Sequence, residues 1–83
     1  MNRNAREAIK HVMSDVLNLD VDAIRDDTSM DDTPLWDSAN HVQLVLALEE
    51  EFSVSFEVTE FESMRSYGDI VRAVEAKFAG HSV

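Results

Sequence analysis

The stretch Asp37-Ser38-Ala39-Asn40-His41-Val42-Gln43-Leu44-Val45-Leu46-Ala47-Leu48-Glu49-Glu50-Glu51-Phe52 decides the fold. From about Ser38 to Phe52 it reads as a helix, apolar around much of its middle and ending in consecutive glutamates. The first turn of a helix has free N–H groups and no chain packed above it, so a serine hydroxyl placed there is exposed. Those N–H groups and the positive end of the helix dipole favour an anion, so a phosphodiester on Ser38 would sit in a favourable field. Ser38 is therefore a candidate attachment point. A helix in a chain of 83 residues cannot bury every face, so some of its middle apolar residues must be exposed or line a cavity. The reading assigns Val42, Val45, Leu46 and Phe52 to the interior.

Upstream, a helix from about Ala5 to Leu17 places Ala5, Ile9, Val12, Met13, Val16 and Leu17 on one face. Asn4 and Glu7 stand in capping-box spacing, and Asn18 is a suitable stop. The loop from Leu19 to Trp36 carries Leu19, Val21, Ile24, Met30 and Leu35 among aspartates. A loop of that length fits a compact domain only if it wraps the core, and these apolar residues are expected to do so. Downstream, the alternation Phe52, Val54, Phe56, Val58 reads locally as a strand, and pattern alone does not exclude one. A last helix has Ser66 and Asp69 in capping-box spacing, then Tyr67, Ile70, Val71, Val74 and Phe78 on one side, with Gly80 past its end.

The length gives one domain, residues 1–83, with one small core that buries roughly 60% of the unfolded chain's surface. A multi-residue catalytic cleft does not fit that size. The net charge is −10, and residues 26–64 hold no Lys or Arg against eleven acids. Such a surface repels nucleic acid and anionic lipid and steers basic protein partners. The chain has no cysteine, hence no disulfide, thiolate nucleophile or Cys-based metal site. No signal-peptide pattern and no run near the ~20 apolar residues of a membrane span is present, so a cytoplasmic protein without membrane insertion is expected.

Other chemistries fit poorly. A Ser38–His41–Asp37 triad would crowd three groups onto one helical turn, where the base cannot sit between its partners, and the glycine-flanked nucleophile elbow is missing. An EF-hand begun at Asp20 puts Ile24 at its fifth position, Arg25 where glycine is needed and Asp31 in place of the closing glutamate. His11, His41 and His81 are too scattered for a ligand set and default to surface or cap roles. No dedicated metal site is expected.

The segment Asp37 to Phe52, above all Leu44-Val45-Leu46-Ala47-Leu48-Glu49-Glu50-Glu51-Phe52, resembles helix two of acyl carrier proteins, and the resemblance extends more weakly over nearly the whole chain. It implies an all-α fold: a four-helix acyl-carrier-protein-like bundle with a long loop between helices one and two and a short third helix near Val58 to Met64. It further implies that Ser38, with Asp37 beside it at the helix start, takes 4′-phosphopantetheine from coenzyme A through a phosphopantetheinyl transferase. Because the chain lacks cysteine, the arm's thiol would hold the cargo as a thioester. The expected protein is a monomer and not an enzyme. Its partners would be acyl- or aminoacyl-loading and acyl-transferring enzymes with basic docking patches. On this reading Val42, Leu46 and Phe61 are candidates for an acyl cavity, and Trp36, Ala39, Glu49 and Glu50 for partner contacts, with Trp36 equally placed to be a lid over the core instead.

The chain departs from the family where Trp36 precedes the Asp-Ser pair and the small Ala39 follows it, the reverse of the common order of sizes. Asn40 and Gln43 also fall where the fatty-acid type is often acidic. These departures point to a dedicated partner set in a specialised lipid or secondary-metabolite pathway. Val58-Thr59-Glu60-Phe61 looks similar to the corresponding part of D-alanyl carrier proteins, so a D-alanyl or peptidyl carrier is an alternative. An acidic helical interaction module without a prosthetic group is the alternative of another class.

Overall fold

The computed structural model describes residues 5–81, with side chains described as far as Lys77. Four helices follow one another: α1 (Ala5–Leu17), α2 (Ser38–Phe52), α3 (Val58–Ser63) and α4 (Tyr67–His81). A 3-10 turn at Val21–Ala23 interrupts the long α1–α2 connection, and no strand occurs among the described residues. The all-α bundle, its long loop and its short third helix match the reading of the sequence.

Helix α1 buries Ala8, Ile9, Met13 and Leu17, one stripe at helical spacing. It stops at Asn18, whose φ of 56° is left-handed, a conformation asparagine tolerates better than most residues. The Ser14 hydroxyl donates to the Leu19 carbonyl at 2.6 Å and closes the end. The Asn4 cap lies outside the described residues.

The α1–α2 loop does wrap the core. Ile24 and Trp36 are fully buried, and Leu19 and Met30 pack against the same cluster. It is fastened along the α3–α4 junction by three backbone bonds: Met30 N–H to the Arg65 carbonyl (3.0 Å), Tyr67 N–H to that of Thr28 (2.9 Å) and Gly68 N–H to that of Asp26 (3.1 Å). A side chain at Gly68 would put its Cβ 3.1 Å from the Asp26 carbonyl oxygen, a tight contact that the seam would have to yield to by a few tenths of an ångström. Leu35 breaks the expectation, being 49% exposed rather than folded inward.

The interior stripe of α2 is His41, Leu44, Val45 and Leu48, with Phe52 partly buried. Val42 and Leu46, assigned to the interior from sequence, are 45% and 55% exposed. The stripe is rotated by one residue because a histidine with both nitrogens bonded can start it, where a polarity rule places a valine. The helix ends at Ser53 in a left-handed conformation, and residues 54–57 form an irregular connection, not a strand.

Helix α3 buries none of its residues. It is held by Phe61, partly buried against the core, and by polar ties. Glu60 pairs with Lys77 of α4 at 2.8 Å and accepts the Glu57 N–H at 2.8 Å. Helix α4 is capped by the Ser66 hydroxyl, which accepts the Asp69 N–H at 3.1 Å, and it buries Tyr67, Ile70, Val71 and Val74 as one face. The helix runs through Gly80 to His81 rather than ending before the glycine, since one glycine costs only about 1 kcal/mol inside a helix. The side chain of Phe78 lies outside the described residues.

Candidate functional site

The start of α2 is built by Asp37, which has extended backbone and accepts the Asn40 N–H on its carboxylate at 2.9 Å. Its carbonyl accepts the His41 N–H at 2.8 Å. Asp37 is therefore the cap. Ser38, one residue inside, is exposed, and its hydroxyl has no hydrogen-bond partner among the described residues. The Asn40 amide donates to the Leu35 carbonyl at 2.6 Å and braces the approach to the helix.

Trp36 is 2% exposed and its indole N–H donates to His41 Nδ1 at 3.0 Å. With Nδ1 accepting, the proton resides on Nε2, which donates to the Phe61 carbonyl at 2.8 Å. The His41 and Phe61 rings also meet edge to face at 4.6 Å. Of the two readings of Trp36, its burial selects the core lid over the partner anchor. The expectation for His41 is corrected: it is a buried bridge from the loop to α3 rather than a surface or cap residue. Both His41 nitrogens are bonded to other partners, so His41 is not a general base for Ser38, in keeping with rejection of the triad.

Val42, Leu46 and Phe61 come together. With Val45, Phe56 and Val58 they line a surface groove of about 380 Å³ between α2 and α3. At its upper end a hollow of about 240 Å³ is bounded by Ser38, His41, Met30 and Arg65, and it shares Val42, Phe61 and Glu62 with the groove. Ser38 thus borders a largely apolar channel made of the hollow and the groove, which share Val42, Phe61 and Glu62. An exposed, unbonded hydroxyl at a helix start beside such a channel fits a long arm linked through phosphate. Among the described residues no group of His, Cys, Asp or Glu side chains is arranged to hold a metal.

Of the other expected contacts, Ala39 and Glu50 are exposed on α2. Glu49 is half-buried, with its carboxylate accepting the Phe56 N–H at 2.8 Å, so it also has a structural duty. On α3, the hydrogen bond from Lys77, helped by the Glu57 N–H, holds the Glu60 carboxyl below the usual glutamate range against a smaller opposing effect of burial. Sequence reasoning missed His41, Leu35 and Arg65 as site residues. The signal for His41 was present, since Trp36 supplies an N–H donor within reach of the first turn of α2.

Residues 7–74 match the family model described as "Phosphopantetheine attachment site". The chain is 36% identical over 70 residues to an acyl carrier protein of Clostridium acetobutylicum, covering 84% of this chain and 91% of that one. It is 33% identical over 67 residues to an acyl carrier protein of Wolinella succinogenes, covering 81% and 88%. The solution structure of a holo acyl carrier protein from Nitrosomonas europaea superposes with a TM-score of 0.79 at 27% identity, over 93% of this chain and 99% of that chain. The fold and the match define a phosphopantetheine-binding carrier domain, a carrier and not an enzyme. The chain belongs to the acyl carrier protein family.

Proposed function

We propose that Ser38 bears the 4′-phosphopantetheine and that the chain carries acyl intermediates between enzymes of a specialised lipid or secondary-metabolite pathway in the cytoplasm. The observation that carries this reading is the exposed Ser38 at the start of α2, bordering a hollow whose walls Val42 and Phe61 continue into the groove with Leu46. The group supplies a terminal thiol that holds cargo as a thioester. The protein's own residues do the rest. Asp37 caps the first turn, in which Ser38 stands exposed, the channel walls offer apolar cover to a chain, and the acids of α2 steer basic partners.

A dedicated pathway is supported by the front half of α2, where Asn40 is tied to Leu35 and Gln43 is exposed and uncharged. Aminoacyl cargo is a second reading, supported by the Glu62 carboxylate at the rim of the hollow, where it would meet an ammonium group. Intact mass of protein from its native cell separates the two by the cargo.

The attachment is tested with Ser38→Ala. The wild-type chain should gain the mass of the phosphopantetheine group from coenzyme A and a transferase, and the variant should gain none. Because Asp37 is the cap, the substitution should change stability by no more than about 0.5 kcal/mol. Equal labelling of the variant would place the group elsewhere.

A further inference from the structure

The hollow beside Ser38 contains a cation that the attachment reading does not use. Residues 26–64 hold eleven acids and no Lys or Arg, and Arg65 is the first basic residue after them. Its side chain bounds the same small hollow as Ser38. The backbone at Arg65 is fixed, since its carbonyl accepts the Met30 N–H at 3.0 Å and its own N–H donates to the Ser63 carbonyl at 3.0 Å. The guanidinium is not. Among the described residues its one salt bridge is to Asp31 at 3.9 Å, with side chains 60% and 86% exposed. A guanidinium has five N–H donors in a fork that suits phosphate, and one long, exposed contact leaves most of them to water.

A phosphodiester on Ser38 would bring another negative charge to a place already flanked by the Asp37 carboxylate and by Glu62. The free N–H groups of the first turn offset part of that, but the Asn40 N–H is already given to Asp37. Arg65 is the cation placed to offset the remainder.

Resting on Ser38 as the attachment point, we infer that Arg65 is a positioning residue that pairs with the phosphodiester at the root of the prosthetic arm, exchanging its loose contact with Asp31 for it. The pair fixes the root of the arm on the α3 side of Ser38, next to Val42 and Phe61, so that the cargo end starts over the channel.

The test compares apo and holo forms of wild type, Arg65→Gln, Arg65→Lys and Asp31→Asn, with modification at Ser38 verified by peptide mass. Adding the arm should raise the wild-type melting temperature by about 3 °C, the order expected of one charge-assisted contact in a domain this small. The rise should vanish or reverse in Arg65→Gln, survive in part in Arg65→Lys, and grow in Asp31→Asn, where the competing carboxylate is gone. The phosphorus NMR shift of holo wild type should differ from that of holo Arg65→Gln at low salt and converge with it at high salt. Identical apo-to-holo changes in wild type and Arg65→Gln overturn the inference while leaving Ser38 as the attachment point. An Arg65 effect seen only with an arm ending in a succinyl carboxylate overturns it in favour of cargo recognition. One seen only in the transferase's KM overturns it in favour of enzyme docking. No modification at Ser38 overturns both this inference and the attachment reading.

Discussion

The Trp36 indole N–H and His41 Nδ1 are 3.0 Å apart and buried, which ties the residue before the Asp-Ser pair to the first turn of α2. The same imidazole reaches α3 through the Phe61 carbonyl. Three segments around Ser38 therefore share one neutral ring, and removing either end leaves a buried polar group unpaired.

Trp36→Ala should destabilise the apo protein by about 3–5 kcal/mol, the range for truncating a buried large side chain. Trp36→Phe keeps most of the bulk but strands His41 Nδ1, at a cost of about 1–3 kcal/mol. His41→Leu strands the indole N–H instead, and the double variant should cost less than the sum of the singles. Urea denaturation of the four proteins checks this. A loss below about 0.5 kcal/mol for Trp36→Phe would show that the bond contributes nothing net.

The acid limb of stability depends on Glu60. Its carboxyl is held below the ordinary value of 4.5, chiefly by the hydrogen bond from Lys77 and then by the Glu57 N–H. A depressed folded pKa favours the folded state above the unfolded value, and that contribution is lost as pH falls through the folded value. Glu60→Gln and Lys77→Met should each cost about 0.3–1 kcal/mol near neutral pH, a solvent-accessible pair with side chains 32% and 25% exposed being worth little more. The difference from wild type should shrink steadily below pH 4.5. Because α3 has no buried residue, its amide exchange should rise more than that of α1. A pH-independent difference would assign the loss to helix propensity alone.

Much of this structure was legible in the sequence because period and punctuation agreed in α1 and α4. The stripe Ile9, Met13, Leu17 and the face Tyr67, Ile70, Val71, Val74 follow the helical repeat, and Asn18 and Ser66 mark boundaries by their own chemistry. In α2 the apolar residues run round too much of the helix for periodicity to choose a face. The deciding residue was a histidine whose burial depends on a tryptophan five positions earlier and a carbonyl twenty positions later, information no local window holds. The channel residues Val42, Leu46 and Phe61 came from the family resemblance, and two of them had also been assigned to the interior. Arg65 was invisible beside Ser38 because the loop pairing that positions it joins segments far apart in sequence.

Glu49 and Glu50 should now behave differently on charge reversal. Glu50 is exposed, so Glu50→Lys should slow association with a basic partner and weaken its salt dependence without changing stability. Glu49→Lys should do this and also lose about 1–3 kcal/mol, because the Phe56 N–H it satisfies is partly buried. Stopped-flow association and thermal melts separate the effects. Equal stability of the two variants would mean that water replaces the Glu49 contact at no cost.

With Trp36 committed to the core, the outward apolar residue on the loop side of the attachment point is Leu35. It is 49% exposed, and the Asn40 amide holds its carbonyl at 2.6 Å, so the side chain is displayed from a braced backbone rather than a loose loop. Ala39 is too short to supply an apolar anchor, while Leu35 has the size and exposure for one, and anchors of this kind dominate interface energetics. Leu35→Ser should therefore weaken binding to the phosphopantetheinyl transferase by more than ~1 kcal/mol, with little change in melting temperature because the residue buries little on folding. Asn40→Ala should weaken the same binding less, by freeing the Leu35 backbone, and it should leave the Asp37 cap intact because that bond uses the backbone N–H. Isothermal titration of the apo proteins reads both effects. If Leu35→Ser binds as tightly as wild type while Glu50→Lys does not, docking is electrostatic at the far end of α2, and the exposed leucine is an ordinary surface residue.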